Sequence, residues 1–167
     1  MKVAVIAANG KAAGKIITEA MNRGFEVTAF GRKENNTDAK NYVKKDLFDI
    51  TTEDLKGFDA VVDTFGAWTE DTLSQHSTSL KHLCDILSGT DIRLLVVGGA
   101  GSIYVNPEHS AQVFDSPDFP DVFKPIAKAM ATALTELRDR NDVKWTYISP
   151  AGDFQADGER SGKYILG

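Results

Sequence analysis

The stretch Val3-Ala4-Val5-Ile6-Ala7-Ala8-Asn9-Gly10-Lys11-Ala12-Ala13-Gly14 sets a small-residue turn between an unbroken apolar run and a helical pattern. Such a turn can hold an anion, because the first N–H groups of a helix have no intrahelical acceptor and the helix dipole adds to their field. A diphosphate is the natural ligand. Read as a G-x-x-G-x-x-G turn, the three glycine places fall on Ala7, Gly10 and Ala13, and only the middle one is glycine. A final alanine suits a place that serves helix–strand packing. A second register, Gly10-x-x-x-Gly14, keeps two glycines and puts Ile16 in the third place. The same residues also describe a strand-to-helix turn with no ligand, and both readings stand at this point.

A second set of charges lies one strand further on. Phe25 to Phe30 reads as a strand entered through Arg23-Gly24, a helix C-cap, and it ends at Gly31-Arg32-Lys33. In dinucleotide-binding βαβ units an acidic residue about 20 positions past the glycine turn takes the ribose hydroxyls, whereas an arginine accommodates a 2′-phosphate. Arg32 and Lys33 stand there, with no carboxylate before Glu34. A guanidinium matches phosphate geometry, so the pair points to NADP over NAD. The alternative is an ordinary solvated basic pair at a strand end. Asp63 interrupts the apolar run Asp59 to Phe65, and a hydrogen-bonded structural aspartate is the safer reading. His76 and His82 share no metal-ligand spacing with cysteines or further histidines, which makes them surface histidines on this reading.

These groups need elements to position them. Strand-like runs are expected at Val3–Ala7, Phe25–Phe30, Tyr42–Leu47, Asp59–Phe65, Ile92–Val97 and Val143–Ile148, with a final short extended run at Lys163–Leu166. Between them, Ile16, Ile17, Ala20 and Met21 recur at helical spacing, and so do Leu80, Leu83, Cys84 and Leu87. Thr51 or Thr52 could cap a brief helix. Asp121 to Arg140 carries Phe123, Ile126, Ala127, Met130, Ala131, Leu134 and Leu137 as one apolar stripe, read as core. Strand and helix alternating in this way predict an α/β fold, a doubly wound parallel sheet that binds ligands outside the carboxyl ends of its strands. Gly98-Gly99-Ala100-Gly101-Ser102 closes the fifth strand, so Ser102 is expected to face that crevice. Tyr104 to Pro120 is rich in proline and aspartate and reads as a lid over it.

Composition narrows the function classes. The 167 residues suit a single domain spanning 1–167 with a real core, and the net charge of −5 offers no basic footprint for nucleic acid. No segment has signal-peptide or membrane-spanning length, so no membrane partner is expected. A lone cysteine, Cys84, cannot form an intramolecular disulfide, and a reducing cytoplasm is the default location.

Several segments together resemble a known family. They are Ala7 to Ala13, Arg23 to Ala29, Asp59 to Val62, Phe65-Gly66, Ser116 to Pro120, Trp145 to Ala151, Gly158 to Tyr164 and, most specifically, Val96 to Tyr104. The resemblance is to the atypical short-chain dehydrogenase/reductases of the NADH-flavin reductase group, related to biliverdin-IX-beta (flavin) reductase and the NmrA-like proteins, and it covers the whole chain. It implies a Rossmann NAD(P)-binding domain. Ala7, Asn9, Gly10, Lys11 and Ala12 would form the cofactor turn, the last three under the pyrophosphate. Arg32 would lie by the adenosine 2′-phosphate, Asp46 and Leu47 beside the adenine, and Phe65 and Gly66 along the nicotinamide ribose. Ser102 would sit near the nicotinamide and the acceptor as the candidate catalytic residue, where it could donate a hydrogen bond to the acceptor or only shape the turn. Two departures stand out: Ala7 replaces a turn-tightening glycine, and family members are usually longer by about one strand-and-helix unit at the C-terminus.

One absence constrains the chemistry further. Dehydrogenases that act on alcohols or ketones use a tyrosine four residues before a lysine, which lowers the phenol's pKa. Four residues after Tyr42, Tyr104 and Tyr147 stand Asp46, Glu108 and Ala151, and Tyr164 is three residues from the last position. Hydride transfer to a flavin, quinone or similar conjugated acceptor needs no such pair, because proximity and orientation suffice and solvent supplies the proton. Where biliverdin-IX-beta reductase has a histidine near its acceptor this chain has Ala151 and Gly152, which argues against a close equivalent of that enzyme. His109 on the expected lid is a candidate substitute. The expectation is therefore an NADPH-dependent reductase with a small conjugated acceptor, flavin among them. The alternative is a non-catalytic NAD(P)-binding redox sensor of the NmrA type.

Overall fold

In a computed structural model of the chain, which describes residues 1–155, 157–160 and 162–164, the apolar runs form one parallel sheet. Its strands are β1 (Lys2–Ile6), β2 (Glu26–Gly31), β3 (Asn41–Lys44), β4 (Ala60–Asp63), β5 (Arg93–Val97) and β6 (Lys144–Ile148). They lie in the order β3-β2-β1-β4-β5-β6 with every pairing parallel. That is the doubly wound order of dinucleotide-binding sheets. The chain leaves β1 toward β2 on one side and reaches β4 on the other, so a crevice opens where the order reverses.

Alternation along β1 explains why both faces are covered. Val3 and Val5 pack with Val27, Ala29 and Val62 against Ala13, Ile17 and Ala20 of α1 (Lys11–Asn22). Ala4 and Ile6 face the other way. They join Val61, Leu94 and Val96 beneath Leu80, Leu83 and Leu87 of α2 (Gln75–Leu87) and Leu134 and Leu137 of α3 (Lys124–Arg138). A strand buried on both faces must be apolar at every position, and β1 is apolar from Val3 to Ile6.

The structure moves several expected boundaries. Ala7 leaves the first strand because its backbone is left-handed, with φ 60°. Gly24, also left-handed at φ 77°, ends α1 as expected. The third strand stops at Lys44, and Leu47 instead begins a short 3-10 turn, Leu47–Asp49, whose first free amide is capped by Asp46 through Phe48 N at 3.0 Å. Thr51 rather than Thr52 ties the next short turn, through Oγ1 to Asp54 Oδ2 at 2.7 Å. Phe123 of the predicted stripe stands just before α3 and is half exposed. Cys84 is buried among leucines, which pushes its thiol up to about 11 and leaves it unreactive. Of the last expected run, Lys163 and Tyr164 are not in a strand, and Ile165 and Leu166 lie outside the described residues.

One expectation is corrected outright. His76 is a buried histidine, 7% exposed, in the first turn of α2. It stands four residues before Leu80 and seven before Leu83, on the helix face that packs against the sheet, and burial lowers its pKa. His82 is half-buried, with Nε2 at 2.9 Å from the Ile50 carbonyl oxygen. No helix of the described residues is long and apolar enough to cross a membrane.

Candidate functional site

The predicted site residues fall along the carboxyl edge of the sheet, because parallel strands end together there. After β1 the chain turns through Ala7, Ala8 and Asn9 into Gly10, which starts α1 with extended backbone. Gly10 N donates to the Ala7 carbonyl at 3.3 Å, closing the turn. No side chain caps this helix and no acidic residue stands in its first turn. A helix start without cap or carboxylate leaves its leading amides to an outside anion.

Asn9 is a lacing residue within this turn. Its Nδ2 donates to the Glu34 carbonyl at 3.0 Å and to Asn36 Oδ1 at 2.9 Å, while Oδ1 accepts from Lys33 N at 3.2 Å. The Tyr42 hydroxyl joins it and donates to the Lys33 carbonyl at 2.7 Å. Gly31 makes this possible. A Cβ on it would collide with Asn9 Oδ1 and the Tyr42 hydroxyl. The Asn9 side chain thus binds the turn after β1 to the segment after β2, and holds the next residue, Arg32, at the rim.

On that side Arg32 is well exposed, with Nε at 3.8 Å from Asp46 Oδ2. Asp46 sits where the chain leaves β3, and Leu47 is buried behind it. The sheet order therefore brings Arg32, Asp46 and Leu47 together at the far end of the crevice. Lys11 stands at the opening of α1, where its Nζ pairs with Asp157 Oδ2 at 3.2 Å.

The other side of the crevice is built differently. Asp63, the last residue of β4, is 4% exposed and accepts the Phe65 amide at 2.9 Å. Burial pushes its carboxyl up to about 6, and the Phe65 amide opposes that only in part. Thr64 Oγ1 donates to the Ile6 carbonyl at 2.7 Å, which fastens the turn after β4 to the end of β1. Phe65 and Gly66 follow at the crevice, and the indole of Trp68 folds beside Gly66 while remaining largely exposed.

Ser102 ends a 3-10 turn, Ala100–Ser102, after β5. It is 4% exposed and its hydroxyl donates to the Gly99 carbonyl at 3.1 Å, so the side chain is turned into the protein. Tyr147 of β6 lies beneath, its hydroxyl accepting the Gly99 amide at 3.3 Å, and burial raises its pKa. Three glycines allow this closeness. A Cβ on Gly98 would overlap the Tyr147 ring, one on Gly99 would come to 2.9 Å from Met130 Sδ, and one on Gly101 to 2.8 Å from the Ala127 methyl.

The lid segment is ordered around the same turn. Tyr104 and Gln112 form an antiparallel bridge, and Gln112 Nε2 donates to the Ser102 carbonyl at 3.1 Å. His109 stacks on Tyr104 at 4.6 Å between ring centroids, and Arg138 donates to the Tyr104 hydroxyl at 3.0 Å. His109 is thereby anchored by stacking on the lid. Sequence reasoning missed His76 and gave Tyr147 no structural role. The helical spacing of His76 with Leu80, Leu83 and Leu87 was the available signal.

Known proteins share this arrangement. The profile of the NAD(P)H-binding family matches residues 7–167. The uncharacterized protein YwnB of Bacillus subtilis is 39% identical over 170 residues, spanning this whole chain and 79% of its own length. The crystal structure of SP1627 from Streptococcus pneumoniae, described as "a putative NADH-flavin reductase", superimposes with a TM-score of 0.96 at 53% identity, covering 99% of this chain and 79% of that one. A protein from Bacteroides thetaiotaomicron described as a "putative epimerase" has a TM-score of 0.82 at 32% identity, covering 98% and 76% of the two chains. With the sheet order, the uncapped helix start and these likenesses in hand, the chain belongs to the NAD(P)H-binding family.

Proposed function

We propose that this protein is an NADPH-preferring oxidoreductase that passes hydride to a flat conjugated acceptor, a flavin or quinone. The observation that carries this reading is the uncapped start of α1 at the sheet's switch point, with Arg32 at the end of the neighbouring strand. The free amides of Lys11 and Ala12 at the start of α1 face a diphosphate beside Gly10, and Lys11 adds its charge. Arg32 takes the 2′-phosphate, with Asp46 and Leu47 along the adenine. Phe65 and Gly66 border the nicotinamide ribose, and Ser102 shapes the turn that the nicotinamide and acceptor meet. The bound cofactor supplies a hydride at its nicotinamide ring; the protein's part is to hold the two rings face to face and exclude water. The likeness to the Streptococcus pneumoniae protein described as "a putative NADH-flavin reductase" supports a flavin-class acceptor. The single buried thiol, Cys84, is in keeping with a reducing, cytoplasmic location.

A second reading, the non-catalytic NAD(P)-binding sensor, is favoured by one observation: the Ser102 hydroxyl is already engaged with the Gly99 carbonyl. Titrating NADPH and NADH against the protein and against Arg32→Ala tests the cofactor assignment. The substitution is expected to weaken NADPH roughly tenfold, the worth of one charge-assisted contact, and to leave NADH within about twofold. Equal loss for both nucleotides would remove the 2′-phosphate assignment. Steady NADPH oxidation on adding a flavin or quinone then marks the reductase, and binding without turnover marks the sensor.

A further inference from the structure

Beneath the nicotinamide end of the crevice lies a cavity of about 20 Å³, whose ten lining residues include Asp63, Phe65, His76, Ser79, Met130 and Tyr147. It is large enough for one water molecule. Four of its ten lining side chains, Asp63, His76, Ser79 and Tyr147, are polar, in a region otherwise packed with apolar residues. A buried carboxylate is costly unless it has a structural task.

The task is visible in the hydrogen bonds. Asp63 Oδ1 accepts the Phe65 amide at 2.9 Å, across the turn that leaves β4. Two residues on, His76 Nε2 lies 3.0 Å from the Ala67 carbonyl oxygen and 3.4 Å from the Ala67 amide nitrogen. The shorter contact assigns the proton to Nε2, donating to the carbonyl, and burial keeps the ring neutral. The Phe65 ring packs edge-on against His76, with centroids 5.8 Å apart. Phe65, Gly66 and Ala67 are thus held from below at both ends, one end by a side chain of the sheet and the other by a side chain of α2. Tyr147, on the same cavity, carries the Gly99 amide of the opposite turn.

We propose that Asp63 and His76 are positioning residues for the nicotinamide half of the site: together they clamp the Phe65–Ala67 backbone at the height where the nicotinamide ribose and ring must lie. The inference rests on the nucleotide-binding reading above and extends it to side chains that touch no ligand. Because the clamp acts on one end of the crevice, its loss separates the two halves of a dinucleotide. The adenosine half is held by elements that neither residue contacts.

The test compares NADPH with adenosine 2′,5′-bisphosphate, which carries the adenosine end alone, against Asp63→Ala and His76→Ala made singly. Each variant is expected to lose roughly tenfold in NADPH affinity, one buried hydrogen bond's worth, while the bisphosphate stays within about twofold. Asp63→Asn keeps the acceptor oxygen and His76→Gln keeps an N–H donor, so both are expected to bind NADPH like the parent. Amide exchange in the unliganded protein supplies a second readout: Phe65 N–H should exchange faster in Asp63→Ala while the Val5 and Val61 amides stay protected. Loss of both ligands to the same degree, or NADPH affinity unchanged in the alanine variants, overturns the clamp alone. If the parent binds neither ligand, the nucleotide reading falls and the clamp with it. Should one alanine variant fail to fold, the other decides.

Discussion

The turns after β1 and after β5 both come from small-residue stretches at the end of a central strand, yet they use those residues in opposite ways. After β1, the residue that needs glycine's conformational freedom is an alanine, Ala7, held at φ 60°. After β5, Gly98, Gly99 and Gly101 have no left-handed backbone, and each instead lies against a side chain where a Cβ would not fit. One turn carries a Cβ in a strained, left-handed conformation. The other has ordinary backbone and no space. A glycine pattern therefore has two physical meanings, and only one of them concerns φ.

The contrast is broken most directly at Gly98. Gly98→Ala drives a methyl into the Tyr147 ring, and overpacking of this kind costs about 3 kcal/mol. Urea unfolding checks it. The same substitution in a Tyr147→Ala background should cost much less, since the offending ring is gone. A full penalty in both backgrounds would mean that Gly98 matters for its backbone after all.

Between the two turns lies Asp63, and its titration gives the next effect. Its folded pKa is raised from 3.8 to about 6, so the folded protein holds a proton that the unfolded chain releases earlier. Stability tied to that proton is complete below about pH 4 and is lost as pH rises through about 6. His76 works in the opposite sense. Its lowered pKa means stability is lost as pH falls below the ordinary histidine value of 6.5. Subtracting Asp63→Asn from the parent isolates the aspartate. The asparagine variant should gain on the parent by about 3 kcal/mol between pH 4 and pH 8, read from unfolding curves at each pH. A constant difference across that range would show that Asp63 is not desolvated as the structure places it.

The smallest effect belongs to Ala7. Ala7→Gly relieves the left-handed strain but gives the unfolded chain more freedom, and the balance is a gain of about 0.5–1 kcal/mol. Ala7→Val should lose about 1–2 kcal/mol, because a branched side chain fits that conformation worse than a methyl. Thermal melts of the two variants, which should shift in opposite directions, would sharpen the difference between the turns. A loss on Ala7→Gly would mean that the methyl packs usefully where it stands.

Much of this architecture was legible in the residue order. Val3 to Ile6, Ala60 to Val62 and Leu94 to Val97 are apolar without a break, as strands covered on both faces must be, and their alternation with helical stripes makes the sheet parallel. A parallel sheet ends all its strands at one edge, so the placing of Gly10, Arg32, Phe65 and Ser102 along that edge followed from their position in the sequence. What the residue order could not decide depended on contacts between segments far apart in the chain. Only the fold decided that Gly98 makes room for Tyr147, that His76 turns inward to hold Ala67, that Asn9 is spent on lacing Lys33 and Glu34, and that the Ser102 hydroxyl bonds Gly99. Periods of 2 and 3.6 residues report which face of an element is buried. They carry no information about which partner is buried against it, and that pairing is what tertiary packing supplies.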